Sequence, residues 1–236
     1  HSGSLLDIAT IAPGPYDYID CCGVLHHLPE PSKGLQALRD VLANDGGMGL
    51  MVYAPYGRNG VYQAQSMLRS LGIADEQPAD RVETAHALLA DLPPTNWLQR
   101  NPLVGDHLNE GDAGLYDLLL HSQDRAYTVP ELGAFVSNAG MKVTAFIAPF
   151  AYDPSRYIKN PKLLNRLNAL PWMERCAFSE LLTGSLKTHI FYAVKEARAG
   201  EIVAQIAAPD LAPTLIGLDA KQAAAALRKS GQLNAE

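Results

Sequence analysis

The segment His121-Ser122-Gln123-Asp124-Arg125-Ala126-Tyr127 gathers an imidazole, a carboxylate, a guanidinium and a phenol in one short run. A neutral imidazole can take a proton from a hydroxyl or an amine, and a guanidinium can clamp a carboxylate through paired hydrogen bonds. His121 is the candidate general base. Tyr116, a turn or so earlier, joins Asp124, Arg125 and Tyr127 as candidate substrate contacts. The plainer alternative is a surface pair of Asp124 with Arg125 and a His121 that merely packs. Tyr53, Tyr56, Arg58 and Tyr62 form a second substrate-side set. They follow an apolar run that reads as a strand, and ligands of open α/β sheets bind at the carboxyl ends of strands.

His26 and His27 invite comparison with a metal site. Adjacent side chains on an extended segment point apart, and no Cys or His stands at ligand spacing, so no metal is expected. A histidine bonded to backbone is the expectation for at least one of them. Cys21 and Cys22 read as reduced, buried thiols without a neighbour that would make either a nucleophile. With only three cysteines in the chain, two of them adjacent, no disulfide framework is expected.

The elements that must position these groups follow from pattern. Tyr16 to Cys22 reads as a short buried strand. Lys33 to Leu42 places Leu35, Leu38, Val41 and Leu42 at helical spacing, and Asn44-Asp45-Gly46-Gly47 is expected to stop that helix. Met48 to Tyr53 is a second strand, so the unit is βαβ and its strands should be parallel. From Val61 to His121 the pattern is mostly helical, with Val82, Ala85, Leu88 and Leu89 marking one helix and Leu115, Leu118 and Leu119 another. This block is too long for a simple crossover and reads as an inserted cap. Thr128 and Glu131 form a capping box for a helix that Gly140 ends. Met141 to Ala148 and Lys187 to Val194 are further strands. Between them, short helices are punctuated by Pro161 and Pro171. Beyond Lys195 the chain turns Ala-rich, with a candidate helix from Asp219 to Gly231.

Composition sets outer bounds. Hydrophobic residues make up 47% of the 236 and charged residues 19%, which suits a globular core. A formal net charge of −6 gives no general pull toward phosphate backbones, so nucleic acid is not the expected partner. No apolar run reaches the ~20 residues that span a bilayer. With no secretory signal in view, a reducing cytoplasm is the expected location and no membrane partner is expected.

The run Tyr16-Asp17-Tyr18-Ile19-Asp20-Cys21-Cys22-Gly23-Val24-Leu25-His26-His27-Leu28-Pro29-Glu30-Pro31 resembles the fourth strand and following loop of class I S-adenosylmethionine-dependent methyltransferases. Order and spacing agree in register over residues 3–60, through the helix Leu38-Arg39-Asp40-Val41-Leu42 to a fifth strand. The later helix and two strands, 128–148 and 187–194, fit that family's sixth and seventh strands. The resemblance implies an α/β fold: a Rossmann-like methyltransferase sheet with its N-terminal half incomplete, a helical insertion and an antiparallel last strand. The implied layout is 1–60 for the second half of the core, 61–127 for the insertion or cap, 128–195 for the rest of the core, and 196–236 for the extension.

The implied function is methyl transfer from S-adenosylmethionine to an unidentified small-molecule or protein acceptor, in the context of a longer parent chain. A non-catalytic methyltransferase-like binding or assembly module is the alternative. The implied cofactor contacts are Ser4, Leu5, Cys22, Gly23, Val24, Leu25 and His26. The family usually carries a carboxylate where Ser4 stands, and its Gly-rich first loop has no counterpart before Tyr16. The first three strands would cover one side of the strand at Tyr16–Cys22. Without them that edge is expected to recruit a second copy or the upstream half, and the chain alone is expected to be inactive.

Overall fold

The computed structural model describes residues 2–198, Gly200, and Lys221, Ala224, Ala225 and Arg228 of the C-terminal stretch. Those last four are helical; the rest of the candidate helix from Asp219 to Gly231 lies outside the described residues. Residues up to Gly200 form one compact unit, and those from Glu201 onward form another.

The first unit opens with a short turn of helix, α1 (Ile8–Ile11), before the edge strand β1 (Tyr16–Cys22). Helix α2 (Pro31–Val41) leads into β2 (Leu42–Tyr53). Pro31 stands in the first turn of α2, where its missing N–H costs nothing, so the helix begins two residues before the apolar spacing suggests. The stretch Asn44-Asp45-Gly46-Gly47 does not intervene as a loop. Helix α2 ends at Val41, and β2 begins at once, absorbing these residues at an irregularity where pairing jumps from Tyr16–Leu42 to Tyr18–Gly47. Turn-forming residues inside a strand mark such bulges.

Then come α3 (Val61–Ser70), α4 (Pro78–Ala90), α5 (Asp106–Asn109) and α6 (Gly111–Leu115), the last running into a π turn at Tyr116–Leu120. Their apolar faces make a cluster of their own, with Val61, Leu68, Ala85, Leu98, Leu115 and Leu118 buried. Helix α7 (Val129–Asn138) carries the expected capping box of Thr128 and Glu131. Strand β3 (Met141–Phe146) follows. Helices α8 (Pro161–Asn168) and α9 (Trp172–Thr183) then begin at the two prolines, and β4 (Thr188–Lys195) closes the sheet.

The sheet order is β1-β2-β4-β3. Strands β1 and β2 are parallel, while β4 lies between β2 and β3 and runs antiparallel to both. The three forward strands and the single reversed strand inserted beside β3 match the arrangement the resemblance implies.

Alternation along the strands sends Met48, Leu50 and Val52 of β2 and Phe191 and Ala193 of β4 to one face. There they pack with Leu35 and Leu38 of α2, Leu132 and Val136 of α7, and Cys176 of α9. The other face stays open: Tyr18, Ile190 and Tyr192 are 55%, 36% and 43% exposed. Gly49 sits under this face because a β-carbon there would collide with the Tyr18 hydroxyl, so only glycine lets Tyr18 lie across the sheet. Five of the seven β1 residues, Tyr16, Asp17, Tyr18, Asp20 and Cys22, are exposed, so this edge strand lies open to solvent and is not the buried strand its sequence suggests.

Candidate functional site

A constellation assembles at the carboxyl ends of β1 and β2. Gly23 follows β1 with a φ of 76°, a left-handed conformation that glycine adopts at no steric cost. The one heavy atom near a β-carbon at Gly23 would be Met51 Cε, 3.7 Å away, so the loop backbone stays approachable. Val24 beside it is 39% exposed. Leu25 is fully buried in the core, which removes it from the expected cofactor contacts. Leu5 and Leu25 both converge on Gly34 of α2, which brings the Ser4–Leu5 segment next to the loop. The Ser4 hydroxyl oxygen already accepts from the Leu6 amide at 3.2 Å, as the cap of a short turn.

His26 and His27 do not lie on an extended segment. Leu25 to His27 form a 3-10 turn, and the two rings meet at 4.2 Å between centroids instead of pointing apart. His121 comes from the far side of the insertion to stack 4.1 Å from His27. Even so, among the described residues no group of three or more His, Cys, Asp or Glu is placed to hold a metal ion.

His26 is 1% exposed and its ring nitrogens have no hydrogen-bond partner at good geometry. Burial, with His27, Arg58 and His121 adding to it, pushes its pKa down to about 3, against a weak approach to the Met51 backbone. It is a neutral ring wedged between His27 and Tyr53, whose centroid is 4.0 Å away.

The stack continues. The Arg58 guanidinium carbon lies 3.7 Å above the Tyr53 ring, and its Nη2 meets Asp124 Oδ2 at 3.0 Å. These two side chains are 6% and 1% exposed. Asp124 Oδ2 also accepts from Gln65 Nε2 at 3.0 Å, and Arg58 Nε donates to the Tyr62 hydroxyl at 3.2 Å. Burial alone would lower the Arg58 pKa, but Tyr62, Asp124 and Tyr53 outweigh it and hold it above the usual value. Asp124 therefore pairs with Arg58 across the fold and not with its neighbour Arg125. Both charges are committed to each other and position the 121–127 segment, while Asp124 Oδ1 is buried with no hydrogen-bond partner among the described residues.

The other expected contacts scatter. Tyr127 is a core residue, 1% exposed and packed against Phe135. Burial raises its pKa, and its hydroxyl has no partner. Tyr116 accepts from Arg81 Nη1 at 2.9 Å, away from the stack. Arg125 is exposed, its guanidinium carbon 4.7 Å above the Tyr127 ring, while its backbone N–H donates to the His26 carbonyl at 3.2 Å. Tyr56 is 39% exposed and borders a cavity of about 510 Å³ with Asn59 and Tyr62.

His121 lies in the site beside His27. Its Nδ1 accepts the Gln123 backbone N–H at 3.2 Å, so the neutral ring carries its proton on Nε2. Two groups in this region escaped the sequence reading. Arg81 donates to the Leu120 carbonyl at 2.6 Å, and Gln65 ties Asp124 to the Leu118 carbonyl at 2.9 Å. A lone Arg or Gln on a helix gives no sign of such long-range partners.

The three thiols are free; Cys21 and Cys176 are buried, whereas Cys22, at the open end of β1, is exposed and not buried as expected. Burial pushes Cys21 and Cys22 up to about 11 and Cys176 up to about 12, and Cys22 also donates to Asp20 Oδ1 at 3.0 Å. A separate cavity of about 390 Å³ lies at the opposite edge of the sheet, lined by Phe146, Asp153, Asn168, Trp172 and Arg175. No helix among the described residues is long and apolar enough to cross a membrane.

No protein-family model matches the sequence. An uncharacterized protein of Synechococcus sp. is 31% identical over 192 residues, which are 80% of this chain and 46% of that relative. Among solved structures, PKMT2 from Rickettsia typhi in complex with AdoHcy matches with a TM-score of 0.61 and 16% identity, over 83% of this chain and 39% of that one. A second PKMT2 structure from the same organism gives 0.59 and 16%, over 82% and 38%. The chain thus spans about half the length of the curated relative it matches, and it shares the fold of one part of these methyltransferase structures.

Proposed function

We propose that this chain is part of a class I methyltransferase that moves a methyl group from S-adenosylmethionine to an acceptor bearing an N–H or O–H, within a longer parent chain. The observation that carries the reading is the sheet order β1-β2-β4-β3, with its one reversed strand, joined to a left-handed Gly23 loop at the carboxyl edge. The likeness in fold to PKMT2 with AdoHcy supports it.

The cofactor would supply an electrophilic methyl on a sulfonium. This chain's residues fit one wall of its site. Gly23 offers a backbone that a ligand can approach, and Val24 and Cys22 are exposed beside it. His26, a neutral ring, is buried against His27 and Tyr53 next to this loop. The partners for the methionine and ribose ends would come from the upstream half, which in this reading also covers the open face at Tyr18, Ile190 and Tyr192. A homo-oligomer that buries the same face is the form proposed for the chain by itself.

Transfer is an in-line displacement, so alignment and exclusion of water carry most of the work. The buried Arg58–Asp124 pair ties the segment bearing His121 and Gln123 to the loop after β2, and the contact of His27 with the Gln123 carbonyl ties it to the loop after β1. A non-catalytic assembly module is the second reading, favoured by a Ser4 hydroxyl spent on its own turn and by the absence of a carboxylate at that position.

Incubating the full-length parent protein with methyl-labelled S-adenosylmethionine and a lysate treated to remove small methyltransferases tests the reading. Label incorporated into an acceptor above the level seen with Gly23→Val supports transfer. Cofactor binding without any incorporation favours the second reading.

A further inference from the structure

The backbone of Gln123 sets the tautomers of two histidines at once. Its carbonyl oxygen lies 2.9 Å from His27 Nδ1. A carbonyl can only accept, so Nδ1 of His27 carries the proton and Nε2 keeps its lone pair. Its N–H donates to His121 Nδ1, which leaves Nε2 of His121 as the N–H donor. The rings stack 4.1 Å apart and both are only half-buried. The backbone N–H and C=O of one residue thus set an acceptor and a donor side by side. Among the described residues the Nε2 atoms have no hydrogen-bond partner. On the His121 side a cavity of about 160 Å³ opens, bordered by Gln65, Leu68, Arg81, Leu120 and His121.

We infer that His27, and not His121, is the proton acceptor for the methyl acceptor, and that His121 donates a hydrogen bond that orients the same group. This rests on the methyl-transfer reading. The matching ligand is a protonated nucleophile with a lone pair, an amine or a hydroxyl. Its lone pair forms the new bond to the methyl carbon, and the carbon–sulfur bond breaks with its electrons left on sulfur. The proton of the nucleophile passes to His27 Nε2. The resulting imidazolium keeps its Nδ1–H bond to the Gln123 carbonyl, so no existing contact is lost. His121 cannot do the same. Protonating its Nδ1 would set two N–H groups against each other at the Gln123 amide.

The first test needs no activity. Long-range ¹H–¹⁵N correlation spectra of the ¹⁵N-labelled 236-residue chain, at a pH where both rings are neutral, report which nitrogen holds the proton. His27 in the Nδ1–H form and His121 in the Nε2–H form are expected, and His27→Gln and His121→Gln assign the signals. Finding His27 in the Nε2–H form overturns the assignment. In the full-length parent, His27→Gln should lower kcat by about 100-fold or more, the usual contribution of a general base, with cofactor affinity unchanged. His121→Gln should cost less than about tenfold, a single neutral hydrogen bond. A His27→Gln protein within twofold of the parent rules His27 out as the base. A parent that fails to bind S-adenosylmethionine sinks the methyl-transfer reading and the base role with it, while the tautomer pair is decided by the spectra alone.

Discussion

Arg58 and Asp124 form an ion pair 3.0 Å long, almost wholly out of water, that joins the loop after β2 to the segment before α7. Removing one partner strands the other charge in the interior. Asp124→Ala should therefore destabilise the fold by about 3–5 kcal/mol. Replacing both by apolar residues of similar size, Arg58→Met with Asp124→Leu, should cost clearly less than that single change, because no charge is left uncompensated. Urea denaturation of the variants checks this. A double variant as unstable as the sum of the single ones would show that the pair contributes only packing.

His26 makes stability depend on pH in a defined window. Its folded pKa of about 3 lies below the ordinary 6.5, so between those values the unfolded chain binds a proton that the folded chain refuses. Stability from this group is complete above pH 6.5 and falls as the pH drops toward 3, at about 1.4 kcal/mol per pH unit. His26→Gln should flatten the acid limb of the stability curve by that slope. An unchanged slope would mean that His26 protonates freely in the native state.

A buried network locks the other end of the insertion. His189 Nε2 donates to the Tyr127 carbonyl at 2.9 Å and to Glu180 Oε1 at 3.1 Å, and its Nδ1 accepts from the Tyr152 hydroxyl at 2.8 Å. Glu180 Oε2 also accepts the Val129 N–H that opens α7. Glu180→Ala orphans that amide and part of the imidazole, and should cost about 1–3 kcal/mol per group left unpaired. Glu180→Gln retains an acceptor and should cost less. Thermal unfolding ranks the two, and an Ala variant as stable as the parent would mean that water replaces the carboxylate.

The thiols should be slow to react. With pKa values of about 11 for Cys21 and Cys22 and about 12 for Cys176, almost no thiolate exists near neutral pH. Iodoacetamide should label the exposed Cys22 in the native chain more slowly than in the urea-unfolded chain. Faster labelling when folded would point to an activated thiol.

How much was legible varies with range. Tyr16–Cys22 was legible as a strand, though a mostly exposed one and not buried, and Thr128 with Glu131 as a cap, because those signals are local. The start of β2 at Leu42 was hidden, since Asn44-Asp45-Gly46-Gly47 has the composition of a turn and only pairing with β1 makes it strand. The site was harder still. The residues at 53–62 and 121–127 were singled out by type, but Asp124 is 66 positions from Arg58, and its nearer neighbour Arg125 offered the simpler pairing. His27 was passed over because its role depends on the backbone of Gln123, and a backbone hydrogen bond leaves no trace in residue type.

The proposed function requires this chain to supply one wall of a cofactor site and the rest of the parent to supply the other. Calorimetric titration with S-adenosylmethionine, run on the 236-residue chain and on the full-length parent, tests it most directly. Each missing charge-assisted hydrogen bond is worth roughly 1.5–3 kcal/mol, so losing several removes orders of magnitude in affinity. The expected result is weak or undetectable binding to the chain and micromolar or tighter binding to the parent. Micromolar binding to the chain alone, or none to the parent, would contradict it.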